Sequence, residues 1–142
     1  MAVQYLGPRL EQADNPSLAF IEELLRNRGK EYWRAGSATA TLSFDAEAGG
    51  SPQLTIIVEQ PHGVLLQYSP PGGMDEYLLT DPTVSSKEQV VTYPGGNEWV
   101  VPRRYLVSVE RALEVIQAFL EDGRREGSKW IVLGGEEDDS SY

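Results

Sequence analysis

The feature that most constrains the fold is a well-delimited amphipathic helix in the last third of the chain. Apolar residues recur at helical spacing over 109–120, which predicts one buried face. Ser108 stands where an N-terminal cap is expected, and Gly123 stands where a left-handed residue ends many helices. Strands are predicted before this helix, at 99–101, and after it, at 129–133. The order strand, capped helix, strand therefore organises this part of the chain.

The rest of the chain predicts a second helix and several short strands. The first helix should begin with Asn15 as its N-cap and Pro16 at the first helical position, and it should end at Gly29. After it the apolar period falls from about 3.6 residues to about 2, most clearly over 38–44, which predicts a half-buried strand. Further strands are predicted at 53–60, 64–69, 77–80 and 90–93, and we expect them all to extend one sheet with those at 99–101 and 129–133.

This order of elements predicts the fold class and the domain organisation. We expect an α+β domain in which an antiparallel sheet of about six to seven strands carries two helices on one face. The other face is then open to a partner. The 142 residues suit one domain, which we place at 1–134. Residues 135–142 include four acids, 136–139, and are expected to form a disordered acidic tail.

The charge and composition favour a protein partner. A net charge of −10 repels nucleic acid and anionic membranes and attracts basic surfaces, although acidity can also serve solubility alone. The chain has no cysteine, no N-terminal signal pattern and no apolar run near the roughly 20 residues of a membrane span. We therefore expect a cytoplasmic protein whose partners include neither nucleic acid nor a membrane.

No residue pattern indicates catalysis. His62 is the only histidine, and it lies in a predicted turn between Pro61 and Gly63 without partners at metal-binding or triad spacing. Neither a phosphate-binding glycine loop nor a calcium-binding loop occurs. We accordingly assign no catalytic residue, no metal ligand and no cofactor, and expect that the protein is not an enzyme.

The segment 75–99 has the composition of a binding surface. It contains five acids against the single base Lys87, and aromatic residues are interleaved with them. Aromatic side chains anchor interfaces, whereas carboxylates select a basic partner and speed its approach. The alternative is that Tyr77 and Trp99 pack in the core and the acids form a solvated rim. The candidate binding residues are Asp75, Glu76, Tyr77, Asp81, Tyr93, Glu98 and Trp99.

The carboxy-terminal half also carries a recognisable pattern. A Gly-Gly loop and a Val-Pro pair precede a helix of the form A-L-x-x-[VI]-x-x-F-L-x-x-G, and 33–36 reads Trp-Arg-Ala-Gly before an alternating strand. With these motifs the chain, over about 30–133, resembles the first-numbered immunity-protein family of bacterial polymorphic-toxin systems, whose members are often encoded beside deaminase-class toxins. The residues that carry the likeness are Gly95, Gly96, Val101, Pro102, Ala112, Leu113, Ile116, Phe119, Leu120 and Gly123.

The resemblance implies a cytoplasmic inhibitor of a cognate toxin domain. Such a protein occludes the basic substrate cleft of the toxin, here a nucleic-acid deaminase or a nuclease, and its acids stand where phosphates otherwise lie. One alternative is a secretion chaperone or adaptor that holds an effector protein partly unfolded. A small hydrolase or ligand-binding enzyme is the third hypothesis, which the missing catalytic set disfavours.

Overall fold

The computed structural model describes residues 3–44, 51–72, 75–84, 87–127 and 129–133, so the predicted tail at 135–142 lies outside the described residues. Within these ranges the chain forms nine strands and three α-helices. The helices are α1 (Leu18–Asn27), α2 (Lys30–Trp33) and α3 (Val109–Asp122). The strands are β1 (Val3–Leu6), β2 (Gln12–Asp14), β3 (Ala40–Phe44), β4 (Gln53–Glu59), β5 (Gly63–Ser69), β6 (Glu76–Leu79), β7 (Gln89–Thr92), β8 (Trp99–Pro102) and β9 (Trp130–Leu133).

Seven of the strands form one antiparallel sheet in the order β2-β1-β3-β4-β5-β6-β9. The predicted α+β class, the antiparallel sheet and its size are confirmed. Two of the seven strands, β1 and β2, were not predicted from the sequence, and they extend the sheet beyond β3.

One face of the sheet, called here the helix face, packs against α1 and α3. The alternation predicted around β3 is present, because Ala40, Leu42 and Phe44 are buried on this face while the residues between them are half-buried. Phe119 of α3 is fully buried there, and its ring meets the rings of Phe44 and Tyr68 edge to face at centroid distances of 6.2 Å. Burial of one such side chain contributes about 1.5–3 kcal/mol, so this helix is held mainly by its apolar stripe.

Helix α3 has the ends that the sequence predicts. The Ser108 hydroxyl oxygen accepts a hydrogen bond from the Arg111 backbone N–H at 3.1 Å. Gly123 adopts φ 74°, and its N–H donates to the Phe119 carbonyl oxygen at 2.7 Å. Both ends therefore satisfy backbone groups that the helix itself leaves unpaired.

Helix α1 begins later than predicted. Asn15 has a positive φ of 51°, and it exchanges hydrogen bonds with Val3 through its backbone N–H and its side-chain oxygen. The cap is instead Ser17, whose hydroxyl accepts from the Phe20 backbone N–H at 3.1 Å. The predicted start at Asn15 was wrong because this asparagine closes the β1–β2 edge of the sheet rather than capping the helix.

The assignment of β7 and β8 to the large sheet was also wrong. They form a separate two-stranded hairpin that packs on the sheet face opposite the helices, called here the hairpin face. Strand alternation places Ile57, Leu65 and Leu78 on this face, and they form a second core beneath the hairpin. The buried residues of this second core are Ile57, Leu65, Leu78, Val90, Val101 and Leu106.

Hydrogen bonds at both ends of the hairpin define how it crosses the sheet. Near its base, the Asp81 N–H after β6 donates to the Arg104 carbonyl oxygen at 2.8 Å. At its tip, the Gly95 N–H donates to the carbonyl oxygen of Ser37, just before β3, at 2.6 Å. Since β4 and β5 lie between β3 and β6, the hairpin spans them both. The hairpin therefore covers part of the sheet face opposite the helices, which the sequence analysis left to a partner.

Candidate interaction surface

The predicted residues on β6 point to two different sides. Tyr77 lies opposite Tyr68 on the helix face, where the Arg125 guanidinium stands 3.8 Å from the centre of its ring. Its neighbour Glu76 lies on the hairpin face, where its carboxylate accepts a hydrogen bond from the Gln67 amide. The hairpin face and the hairpin that packs on it are together called here the hairpin side. Because successive strand residues alternate between faces, one partner lying flat on the sheet cannot meet both side chains.

Asp75 and Asp81 lie at the two ends of β6 and differ in what they do. Asp75 is exposed, directly before the strand. The Asp81 carboxylate accepts from the backbone N–H and the hydroxyl of Thr83, at 3.0 and 2.6 Å. Asp81 therefore closes the turn at the start of the connection to the hairpin, whereas the Asp75 carboxylate faces solvent.

The other three predicted residues belong to the hairpin or adjoin its strands. Trp99 is half-buried and packs against the second core, and Tyr93 is half-buried with the Arg34 guanidinium 4.4 Å from its ring centre. Glu98 is exposed beside the tip. The hairpin side thus collects Glu76, Tyr93, Glu98 and Trp99, with Asp81 in the loop after β6.

Beside the hairpin, the sheet presents a strip of polar side chains that the sequence reasoning missed. They lie opposite one another in two rows across β1, β3, β4 and β5, and none belongs to the second core. All are half-buried or exposed. The sequence signal that could have revealed this strip is the set of polar residues that alternate with the buried ones along each strand. This polar strip consists of Gln4, Thr41, Ser43, Gln53, Thr55, Gln67 and Ser69.

The outer face of the hairpin adds a small apolar contact area. Val91 and Val100 lie opposite each other and point away from the second core, because their strand neighbours Val90 and Val101 point into it. Val100 is 44% exposed, one of few large apolar side chains in the described ranges with that much exposure. This pair was also missed, since it becomes an outer face only when the hairpin leaves the large sheet.

The helix layer, which consists of α1, α3 and the residues directly after each of them, has its acids in ion pairs with arginines. Every one of these pairs joins groups on α1, on α3 or in the residues directly after either helix. The seven acids share four arginines, so each acid has a cationic partner although the layer keeps a net negative charge. The pairs are Glu22 and Glu110 with Arg26, Glu23 with Arg28, Glu114 and Glu126 with Arg111, and Glu121 and Asp122 with Arg124.

The acids at the hairpin tip and at the start of β6 differ in this respect. Asp75 and Glu98 form no ion pair with any residue of the described ranges, and Glu76 is bonded to a neutral amide. An unpaired surface carboxylate keeps its full attraction for an approaching cation, whereas a paired one has lost most of it. The acids at the hairpin tip and at the start of β6 are therefore better suited to attract a basic partner than those of the helix layer are.

The described ranges contain little that resembles a site for chemistry. No three His, Asp or Glu side chains among them are grouped closely enough to hold a metal ion. An apolar groove of about 290 Å³ lies between α1, α3 and the β4–β5 turn, and none of its described lining residues is acidic or histidine. Its walls include Leu25, Val58, Pro61, Val64 and Val109. None of the described helices is long and apolar enough to cross a membrane.

Fold and surface together define a class of protein: an α+β domain whose helix layer has its acids paired with arginines, and whose opposite, polar side carries acids without an ion pair in the described ranges. The family model of immunity protein Imm1 matches residues 19–129, which run from α1 through the hairpin and α3. The chain belongs to the Imm1 family of immunity proteins, and the predicted resemblance is confirmed. Membership implies that its partner is a cognate toxin, which it neutralises. No curated protein sequence matches the chain.

Proposed function

We propose that this protein neutralises its toxin by covering a basic substrate cleft with its hairpin side, and that the toxin is a deaminase or nuclease acting on nucleic acid. The observation that carries the proposal is the unequal pairing of the acids. Carboxylates on the helix layer are occupied by arginines, whereas Asp75 and Glu98 have no cationic partner in the described ranges. A cleft that binds phosphates has the complementary charge. Such a toxin meets its substrate in the cytoplasm, where its inhibitor acts.

In this proposal Asp75, Glu76 and Glu98 carry the charge that selects the toxin. Asp75 and Glu98 are exposed and Glu76 is half-buried, so their carboxylates can attract a basic surface before contact, which raises the association rate and makes it depend on ionic strength. The polar strip then supplies hydroxyl and amide groups that can bond to the toxin surface around them.

The aromatic residues and Asp81 support this surface in different ways. Trp99 and Tyr93 belong to the hairpin side, so their exposed parts can contact the toxin together with Val100. Asp81 acts through the turn that it closes. Tyr77 lies on the other face, so we assign it a supporting role, in which its ring holds Arg125 and thereby the end of the helix layer.

Co-expression with the toxin domain encoded beside this gene tests the proposal. We expect growth to be rescued, a stoichiometric complex to co-purify, and the purified protein to stop the toxin domain from modifying nucleic acid. The toxin in the complex should be folded. Absence of both rescue and complex contradicts the proposal, and a complex that holds the toxin unfolded supports a chaperone instead.

A further inference from the structure

The tip of the β7–β8 hairpin is attached to the body by a small cluster around Arg34. The Arg34 guanidinium lies over the Tyr93 ring, 4.4 Å from its centre, and pairs with the Glu59 carboxylate at the end of β4. The Gly95 N–H donates to the Ser37 carbonyl oxygen at 2.6 Å. The same short segment, 34–37, therefore holds the hairpin tip by one ring contact and one backbone hydrogen bond.

Arg34 is itself held in place by its ion pair with Glu59 and by the tight packing of its own segment. The Glu59 side chain is only 6% exposed, and a carboxylate this buried is costly unless a cation pairs with it. Gly36 adopts φ 53°, and a Cβ added there would lie 2.0 Å from the Pro8 carbonyl oxygen, so the segment sits tightly against the β1–β2 turn. The guanidinium plane is thus presented to Tyr93 by fixed surroundings.

The base of the hairpin has independent attachments. The Asp81 N–H after β6 donates there to the Arg104 carbonyl oxygen, and Val90 and Val101 are buried in the second core. Loss of the Arg34 contact should consequently free the tip while the base and the large sheet stay folded. The residues nearest the tip include Glu98 and Trp99, which the proposed function places in the toxin-binding surface.

We infer that Arg34 is a positioning residue for toxin binding: it holds the hairpin tip in the arrangement that the toxin recognises, without needing to contact the toxin. This inference rests on the proposed function. A tip that samples other conformations lowers the competent fraction of free protein, and the apparent Kd rises by the inverse of that fraction. The loss of affinity appears in the association rate, because the complex, once formed, contains the same toxin contacts.

Arg34→Lys and Tyr93→Leu test the contact from its two sides. Lysine keeps a charge for Glu59 but lacks the planar fork that stacks on the ring, and leucine removes the ring. In the free protein, both variants should exchange the amide hydrogens of 93–99 at least about tenfold faster, with α3 and β4 unchanged. For binding to the cognate toxin domain, Arg34→Lys should lower the association rate about tenfold and leave the dissociation rate within about twofold.

Arg28→Lys is the matched control, since Arg28 also lies over a tyrosine ring, Tyr32 at 5.4 Å, and pairs with Glu23, but does not touch the hairpin. It should change neither measurement. Unchanged exchange at 93–99 in both test variants overturns the inference and leaves the proposed function standing, as does an affinity loss confined to the dissociation rate. Failure of the wild-type protein to bind the toxin overturns the proposed function and, with it, the role of Arg34 in binding.

Discussion

Reversing the charges of Asp75 and Glu76 should weaken toxin binding far more than reversing two acids on the helix layer. Asp75 is exposed and forms no ion pair within the described ranges, and Glu76 is bonded only to the neutral amide of Gln67. Asp75→Lys with Glu76→Lys therefore removes two available carboxylates and adds two cations. The fold should survive, because neither side chain belongs to a core.

The expected magnitude follows from Coulomb's law. A pair of unit charges 4 Å apart in a water-like dielectric is worth about 1 kcal/mol. Exchanging attraction for repulsion at two such contacts costs about 4 kcal/mol, or about a thousandfold in Kd. Where the toxin cations stand about 10 Å away instead, each contact contributes about 0.4 kcal/mol before salt screening, and the loss falls to about tenfold. The prediction is a loss of between about tenfold and a thousandfold.

Glu114→Lys with Glu121→Lys is the control of equal charge. Both residues are exposed on α3, and the arginines that they release keep other partners, since Arg111 stays paired with Glu126 and Arg124 with Asp122. Surface plasmon resonance at several salt concentrations compares the two variants. Equal losses in both would mean that net charge alone governs binding and would refute the assignment of the hairpin side.

Three further predictions concern the fold that presents this surface. Ser108→Ala removes the cap of α3 and should lower the free energy of unfolding by about 1 kcal/mol in urea titrations; no loss would contradict the capping role. Gly36→Ala forces a side chain into a left-handed φ against Pro8 and should cost on the order of 1–3 kcal/mol, so a variant as stable as wild type would contradict the packing. Burial raises the pKa of the Tyr5 hydroxyl to about 12, above its unfolded value of about 10. The contribution of the protonated Tyr5 hydroxyl to the free energy of unfolding is complete below about pH 10 and is lost as the pH rises through about 12. Tyr5→Phe should therefore lose less stability than the wild type over that range, and equal losses in both proteins would contradict the prediction.

The elements predicted most accurately are those that local sequence determines. Helix α3 is 14 residues long and has its cap and its terminal glycine directly at its two ends, and each acts on its immediate neighbours. The alternating strand β3 and the pair β4 and β5 around the turn at Pro61 were predicted for the same reason. The start of α1 was misplaced because Asn15 is hydrogen-bonded to Val3, which is distant in the chain, and no local sequence pattern predicts that hydrogen bond.

The position of the hairpin depends on contacts that the sequence does not display. Strands β7 and β8 have the alternation of sheet strands, but whether they join the large sheet or cross its face is decided by the second core and by the attachments at Ser37 and Arg104. The candidate site also divides into features that the sequence predicts and features that depend on the folded structure. Asp75 and Glu98 were predicted as exposed acids from composition, whereas the opposite orientation of Glu76 and Tyr77 follows from strand alternation and could have been anticipated.

Amide hydrogen exchange of this protein with and without its toxin domain shows whether the toxin binds the hairpin side. We expect binding to slow exchange in β7, in β8 and in the strands beneath the polar strip, while α1 and α3 exchange as in the free protein. Slower exchange confined to α1 and α3, with the hairpin unchanged, would contradict it.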